Sequence, residues 1–258
     1  MDVIKFIREN QNYFEDFITR STYHSNAIEG NTLSYAETYA ILFNDNDFEI
    51  KAKPREIYEA INHKYALSYI MKSVEAGDEL SEQMIKKIAM QINKNIMEIS
   101  DYRKVPVMIR GAEHLPPQPK DVPAAMMYWT YNFRKDDRSN IYEKAADYHI
   151  QFERIHPFED GNGRTGRLLI NYELFRNNLF PIVIPKEDRT TYFELISSQN
   201  ISGLGELFSK FEENELERAE QLQAPEKKTL NMDQNLLIRL DNDLEENMYI
   251  EEDMDLEP

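Results

Sequence analysis

Apolar residues recur every three to four positions along most of this chain, which is the period of a helix with one buried face. The pattern predicts a first helix over residues 3–28, with Gly30 as the residue that ends it. A second helix is predicted from Ser34 to about Phe43, because Ser34 and Glu37 have the spacing of a capping box. The chain is therefore predicted to be helical from its beginning.

The same period continues through the middle of the chain. Pro54 is predicted to begin a third helix that ends near Gly77, and Ser81 is predicted to cap a fourth. Two more helices are predicted over residues 123–134 and 141–155, and another follows the glycine-rich stretch described below. Helices therefore account for most of the predicted structure.

The period changes between residues 102 and 123. Val105, Val107 and Ile109 alternate with other residues, as in an extended strand. Gly111 and three nearby prolines prevent a continued helix. The fold class predicted is therefore all-α, a helical bundle with a short β-hairpin flap.

Composition narrows the classes of function. The chain has 258 residues, of which 41% are hydrophobic and 30% charged, as in a globular protein that buries a core. It has no cysteine, which excludes disulfides, thiolate zinc sites and cysteine nucleophiles. No apolar run is long enough to span a membrane, and no secretory signal is recognised at the start. These features favour a cytoplasmic location and no membrane partner.

The net charge of −17 is unevenly distributed. Residues 241–258 contain nine acidic residues and no Lys or Arg, so they are expected to form a solvated, partly disordered tail. The remainder is mildly acidic, which argues against a nucleic-acid partner but not against a local anion site.

The stretch HPFEDGNGRTGR, residues 156–167, holds three of the eight glycines of the chain and leads into a helix. A glycine-rich loop before a helix is an anion site, because backbone N–H groups and the helix dipole converge there. Gly161 and Gly163 allow a phosphate to approach closely. Arg164 and Arg167 are three positions apart and are expected to face one ligand, which indicates a polyphosphate.

Two other side chains of this stretch indicate the chemistry. A bare carboxylate at Asp160 would repel phosphate, and a bridging Mg²⁺ removes this conflict. His156 has the ordinary pKa of a general base that takes a proton from an attacking hydroxyl. The residues indicate nucleotidyl or phosphoryl transfer to a hydroxyl, without the lysine of a Walker-A loop. A simple metal site of His156 and Asp160 would leave both arginines unexplained.

The stretch resembles the signature of the Fic family, His-Pro-Phe-x-[Asp/Glu]-Gly-Asn-[Gly/Lys]-Arg-x-x-Arg, at every fixed position. The resemblance implies an all-α fold that transfers AMP from ATP to a Ser, Thr or Tyr hydroxyl of a target protein. It makes His156 the base and Asp160 the ligand of Mg²⁺. Gly163, where the related Doc toxins have Lys, favours AMP transfer over phosphorylation. The nucleotide phosphates would be bound by Gly161, Asn162, Gly163, Arg164 and Arg167.

A second resemblance lies near the start of the chain. The residues from Ser25 to Gly30, SNAIEG, resemble the inhibitory pattern [Ser/Thr]-x-x-x-Glu-[Gly/Asn] of some family members. There Glu29 would pair with Arg167 and deny it to the γ-phosphate, because one guanidinium fork cannot bind both anions. In isolation, Glu29 would be an ordinary surface acid of a helix.

The resemblance extends to two weaker features. Val107, Met108 and Ile109 would form the flap that binds the target by strand addition, whereas the alternative is a packing hairpin. Family members place adenine contacts near two further positions, Tyr192 and Asn200, with Phe193 beside them. Aromatic residues at helical spacing are more often part of a core.

The sequence suggests a division into an N-terminal inhibitory region (1–55), a catalytic core (56–210) and a helical extension with the acidic tail (211–258). Expected partners are ATP and a target protein, and a homo-oligomer is left open. Two alternatives also remain open. One is removal of AMP, with Glu29 orienting a water molecule, and the other is a non-catalytic binding module, for which His156 would be unnecessary. His149 is expected to be a core residue.

Overall fold

The computed structural model describes residues 2–43, 50–109 and 113–223, and within these ranges it is all-α, with no β-strand. The predicted all-α class is therefore confirmed for the described part of the chain. Two short 3₁₀-helices, Pro119–Asp121 and Lys186–Asp188, accompany the α-helices. The α-helices are α1 Val3–Glu9, α2 Gln11–Ile28, α3 Tyr35–Phe43, α4 Pro54–Glu75, α5 Glu82–Asn93, α6 Val122–Lys135, α7 Ile141–Ile155, α8 Asn162–Arg176, α9 Arg189–Ser197 and α10 Ile201–Leu222.

The helix predicted over residues 3–28 is interrupted at Asn10, so it forms α1 and α2. Asn10 leaves helical geometry, and its side-chain Nδ2 donates to the carbonyl of Phe6 at 2.8 Å. Asn side chains compete in this way for backbone groups that a helix would use. The apolar period continues across the break, which is why the sequence pattern does not reveal it.

The two capping signals in the sequence are confirmed. The backbone N–H of Ser34 donates to Glu37 at 2.8 Å, and the N–H of Glu37 donates back to Ser34 Oγ at 3.2 Å. Ser81 Oγ accepts from the N–H of Met84 at 3.1 Å. These bonds satisfy first-turn donors that a helix leaves open, so local chemistry sets where α3 and α5 begin.

Helices α7 and α8 form the centre of the molecule. Every residue of α8 except Gly163 and Arg176 is buried, because α8 packs against α2, α4, α5 and α7. An aromatic group that includes Trp129 and Phe133 of α6 and Tyr148 of α7 covers one side, and Trp129 Nε1 donates to the Tyr148 carbonyl at 3.0 Å. The turn between α7 and α8, which carries the glycine-rich stretch, thus leads directly into an almost entirely buried helix.

The predicted β-hairpin flap is absent from the described residues, since residues 104–109 and 113–118 form no strand. Pro106, Pro116 and Pro117 have no N–H to donate to a strand ladder. Instead, the guanidinium of Arg103 donates to the carbonyls of Val105 at 3.1 Å and Pro117 at 2.6 Å. An arginine fork thus joins the two ends of this segment, where strand pairing was expected.

The described helices include none with the length and apolar character needed to cross a bilayer. Helix α10 runs through residue 210, where the sequence suggested a boundary, and the division into three regions stays a prediction. The acidic tail lies outside the described residues.

Candidate active site

His156 ends α7 in a left-handed conformation, with φ 50° and ψ 63°, and its ring is 20% exposed. Nδ1 lies 3.3 Å from the carbonyl oxygen of Glu153. A carbonyl only accepts, so Nδ1 carries the proton and Nε2 keeps a free lone pair. Burial lowers the pKa of His156 below its ordinary value, which keeps the ring neutral near pH 7. The ring is therefore in the form that a general base requires.

The loop after His156 is held by backbone geometry and by one amide side chain. Gly161 has φ +78°, and a Cβ there would lie 2.7 Å from Asn93 Nδ2, so only glycine fits. The side chain of Asn162 is buried, accepts from the N–H of Phe158 at 2.9 Å and donates to the Phe158 carbonyl at 2.8 Å. Asn162 thus locks the loop, whereas the sequence assigned its side chain to phosphate.

The N-terminus of α8 is the predicted anion site, and an internal carboxylate lies over it. No side chain of the described residues caps this helix, and a Cβ at Gly163 would lie 2.1 Å from Oε1 of Glu29. Glu29 therefore lies where the open N–H groups and the helix dipole favour a negative charge. The N–H of Gly161 donates to Asp160 Oδ1 at 2.6 Å, so this predicted phosphate donor is engaged by the neighbouring side chain.

Arg167 contacts both predicted inhibitory residues. Its Nη2 lies 2.8 Å from Glu29 Oε1, its Nε donates to Ser25 Oγ at 3.0 Å, and Nη2 also donates to the Ser25 carbonyl at 2.8 Å. Burial, the largest single cause, acts to lower the pKa of Arg167, but the neighbouring acidic groups, Glu29 first among them, together raise it. The structure thus brings Ser25 and Glu29 together with Arg167, which is far from both in the sequence.

Arg164 does not share a partner with Arg167, which corrects the expectation that both face one ligand. Arg164 is 2% exposed, with Nη1 at 3.3 Å from Glu59 Oε1 and Nη2 at 3.2 Å from Asp160 Oδ1. Arg55 of α4 also contacts Asp160, at 2.5 Å, and Glu59, at 3.0 Å. The two arginine side chains diverge because Glu59 lies on α4, whereas Glu29 lies just after α2. Burial would raise the pKa of Asp160, but the Arg164 and Arg55 charges keep it lowered.

The two residues predicted to contact adenine make other contacts in this structure. Tyr192 is fully buried, and its hydroxyl lies 2.5 Å from Nε2 of His149, so it lies in the core rather than on a ligand surface. Asn200 caps α10 by accepting from the N–H of Gly203 at 2.9 Å. His149 is a core residue, as expected, and burial lowers its pKa to about 3.

Sequence reasoning missed two side chains that contact His156. Glu153 lies one turn before His156, with Oε2 at 4.0 Å from Nδ1, and burial followed by the Glu29 charge raises the pKa of Glu153 to about 8. Its spacing from His149 and His156 on α7 was a usable signal. Arg103, whose Nε donates to the His156 carbonyl at 2.8 Å, lies outside any periodic segment and gave no signal.

Comparison with known proteins identifies relatives of this arrangement. Residues 79–174 match the model of the Fic/DOC family. The chain is 30% identical over 183 residues to "Protein adenylyltransferase Fic" of Drosophila grimshawi, which covers 69% of this chain and 37% of that protein. The chain thus spans little more than a third of the curated relatives that it matches.

Two solved structures share the fold. A Fic domain containing signaling protein from Bacteroides thetaiotaomicron superposes with a TM-score of 0.75 at 26% identity, over 85% of this chain and 92% of that one. Fic-1 from C. elegans superposes with a TM-score of 0.65 at 26% identity, over 84% of this chain and 71% of that one. The family match over residues 79–174 contains α7, the glycine-rich stretch and most of α8.

Proposed function

The chain belongs to the Fic/DOC family through residues 79–174, and on that basis we propose that it transfers AMP from ATP to a Ser, Thr or Tyr hydroxyl of a target protein. One observation carries the proposal. His156 presents a neutral ring whose Nε2 keeps its lone pair, and it lies at the start of the loop that leads to the N-terminus of α8, where an anion is favoured. A base next to a phosphate site is what transfer to a hydroxyl requires.

The chain's own residues supply most of the chemistry. Nε2 of His156 takes the proton of the target hydroxyl while the hydroxyl oxygen forms a bond to the α-phosphorus of ATP. The bond between that phosphorus and the leaving pyrophosphate breaks. Charge on the phosphate oxygens is stabilised by the first-turn N–H groups of α8, Gly163 among them, and by the helix dipole. Arg167, once released from Glu29, binds the terminal phosphate.

Asp160 is the residue that would hold Mg²⁺ together with phosphate oxygens. The described residues contain no group of three or more His, Cys, Asp or Glu side chains that could hold a metal, and Mg²⁺ in nucleotide sites needs only one or two carboxylates besides phosphates and water. Asp160 already interacts with cations, Arg55 at 2.5 Å and Arg164 at 3.2 Å. When bound, Mg²⁺ would neutralise phosphate charge and orient the leaving group.

The same geometry supports self-inhibition. The carboxylate of Glu29 lies over Gly163 and also pairs with Arg167, so it competes with a nucleotide for a position and for a guanidinium. Ser25 supports this arrangement through its contacts with Arg167. Removal of the Glu29 side chain vacates both positions without touching His156, and AMP transfer should then increase.

Labelled ATP tests the proposal directly. Protein carrying Glu29→Gly is incubated with Mg²⁺ and α-labelled ATP, and label on protein is followed, with Glu29→Gly/His156→Ala as the matched control. Label with the first protein and none with the second supports AMP transfer with His156 as base. Label from γ-labelled ATP instead would assign phosphorylation and overturn the proposal.

Removal of AMP from a modified target is a second candidate, favoured by one observation. Glu29 is 38% exposed beside the anion site, where a carboxylate can orient a water molecule. In that case Glu29→Gly abolishes release of AMP from a modified protein. If it raises label incorporation and leaves release unchanged, Glu29 acts only as an inhibitor. The cytoplasmic location and a homo-oligomer stay predictions.

A further inference from the structure

Arg103 is a buried guanidinium whose hydrogen bonds within the described residues all go to backbone carbonyls. It is 3% exposed and lies immediately before the segment assigned to target binding. On one side, its Nε donates to the His156 carbonyl at 2.8 Å, and its Nη2 is 3.4 Å from the carbonyl of Ile155. On the other side, Nη1 donates to Val105 at 3.1 Å and Nη2 to Pro117 at 2.6 Å. One side chain thus contacts the end of α7 and both ends of the segment.

The backbone of Arg103 adds a further bond to the same turn. Its N–H donates to the carbonyl of Pro157 at 2.8 Å. His156, between these contacts, has φ 50°, and a non-glycine residue in this region costs free energy that surrounding contacts must offset. Arg103 therefore holds the His156–Pro157 unit through carbonyls on both residues.

The charge of Arg103 has no carboxylate partner among the described residues. Burial lowers the pKa of Arg103, and no acidic group there counteracts it. An unpaired buried cation is a costly way to stabilise a loop, since a neutral donor would bond the same carbonyls. The positive charge of Arg103 acts on a neighbour instead. Burial is the larger cause that lowers the pKa of His156, and the charge of Arg103 lowers it further.

We propose that Arg103 is a positioning residue that fixes His156 and both described ends of the target-binding segment to each other, so that a bound target hydroxyl meets Nε2. The proposal rests on the proposed function, because it assigns the target to this segment. A planar fork bonds carbonyls of residues 105, 117 and 156 at fixed relative positions. An ammonium group on a flexible chain cannot reproduce that geometry, although it keeps the charge.

Two substitutions separate the fork from the charge. Arg103→Lys keeps the charge and loses the fork, whereas Arg103→Met loses both, and the exposed Arg134→Lys is the matched control. The first measurement is the pKa of His156 by NMR titration, with the resonance assigned from His156→Ala. We expect the pKa to rise in Arg103→Met, because a nearby positive charge is removed. It should stay at the wild-type value in Arg103→Lys and in the control.

The second measurement is the rate of self-labelling from α-labelled ATP in proteins that also carry Glu29→Gly. We expect both Arg103 variants to lose about tenfold to a hundredfold in rate, as misplacement of a base by about 1 Å does. ATP affinity, measured by calorimetry in the His156→Ala background, should stay within about twofold, because Arg103 contacts no residue of the anion site. Amide exchange at Val107–Ile109 should be faster in both variants.

The outcomes distinguish this inference from the proposed function. Wild-type labelling and wild-type amide exchange in folded Arg103→Lys would overturn the role of the fork. An unchanged His156 pKa in Arg103→Met would overturn the role of the charge. If Arg103→Met does not fold, Arg103→Lys still tests the role of the fork. Arg103→Gln then replaces Arg103→Met in the test of the charge. If Glu29→Gly protein with Arg103 intact takes no label, the proposed function fails, while pKa and amide exchange still test the inference.

Discussion

Replacing Glu153 with Gln tests whether a neutral carboxyl lies beside the base. The Glu153 side chain on α7 is 12% exposed. Its neighbours are His149 of the same helix, His156 just after it, Arg167 of α8 and Glu29 after α2. Burial is the main cause that raises its pKa to about 8, Glu29 adds to the effect, and Arg167 opposes it. At pH 7 the carboxyl is therefore mostly protonated, and Gln matches it in size and charge.

The sign of the pH dependence follows from the two pKa values of Glu153. The unfolded chain has the ordinary value of 4.5, and the folded protein has about 8. A pKa raised on folding gives stability that is complete below pH 4.5 and is lost as the pH rises through about 8. Between pH 7 and pH 8.5, this linkage removes about 1.2 kcal/mol from the free energy of unfolding. Gln does not titrate, so the variant should not lose this amount.

Urea unfolding at pH 7 and pH 8.5 measures the difference. The loss of stability between the two pH values is compared for the wild type, Glu153→Gln and the exposed control Glu159→Gln. With an m-value of about 3 kcal/mol/M, the wild-type midpoint should fall by about 0.4 M more than that of Glu153→Gln. The control should follow the wild type. His63 and His149, with pKa values lowered to about 3 by burial, affect stability mainly below this window.

Equal losses of stability in the wild type and Glu153→Gln would show instead that Glu153 is already ionised at pH 7. A second comparison tests the stated cause. Glu29→Gln removes a neighbouring negative charge, which should lower the pKa of Glu153 and move the pH-dependent loss to lower pH. A loss at unchanged pH would assign the shift to burial alone.

Three further predictions concern the loop and the inhibitory contact. Glu29→Gln removes one charged hydrogen bond to Arg167 and should tighten ATP binding about tenfold to a hundredfold, as measured by calorimetry. An unchanged affinity would contradict competition between Glu29 and the nucleotide. Asn162→Ala removes two buried hydrogen bonds to Phe158 and should lower the free energy of unfolding by about 2–3 kcal/mol. A loss of ATP affinity without a loss of stability would instead assign the Asn162 side chain to phosphate binding. Gly161→Ala should lower the free energy of unfolding by about 1–3 kcal/mol, because alanine is strained at φ +78°. An unchanged urea midpoint would contradict this prediction.

Local signals predicted much of the fold. The beginnings of α3 and α5 follow from Ser34, Glu37 and Ser81, because capping bonds join residues three positions apart. The helix predicted over residues 141–155 has the same bounds as α7. The break at Asn10 was missed because the apolar period continues through it and only a side-chain bond to Phe6 reveals it.

The prediction of a β-hairpin was wrong for a related reason. Alternating apolar residues from Val105 to Ile109 describe extended backbone, but a ladder needs N–H donors on both strands. Prolines remove several of these donors, and Arg103 supplies the connection instead. Nothing in the local pattern shows that a single side chain would bond both ends.

The all-α class and the order of helix, glycine loop and helix could be predicted from the sequence, because hydrophobic period, caps and glycine positions act over a few residues. The sequence also identified His156 and Asp160 as the chemical groups, since their types and spacing suffice for that. Glu29 could be matched with Arg167, 138 positions away, only through the family resemblance.

The carboxylate partners of Arg164, by contrast, could be found only from the packing of the helices. Arg164 and Arg167 share a helix turn, yet one pairs with Glu59 of α4 and the other with Glu29 after α2. The same packing buries Glu153 beside the base and raises its pKa to about 8. Long side chains reach partners on whichever helices pack nearby, and burial depends on the whole assembly. Neither property is present in a local stretch of sequence.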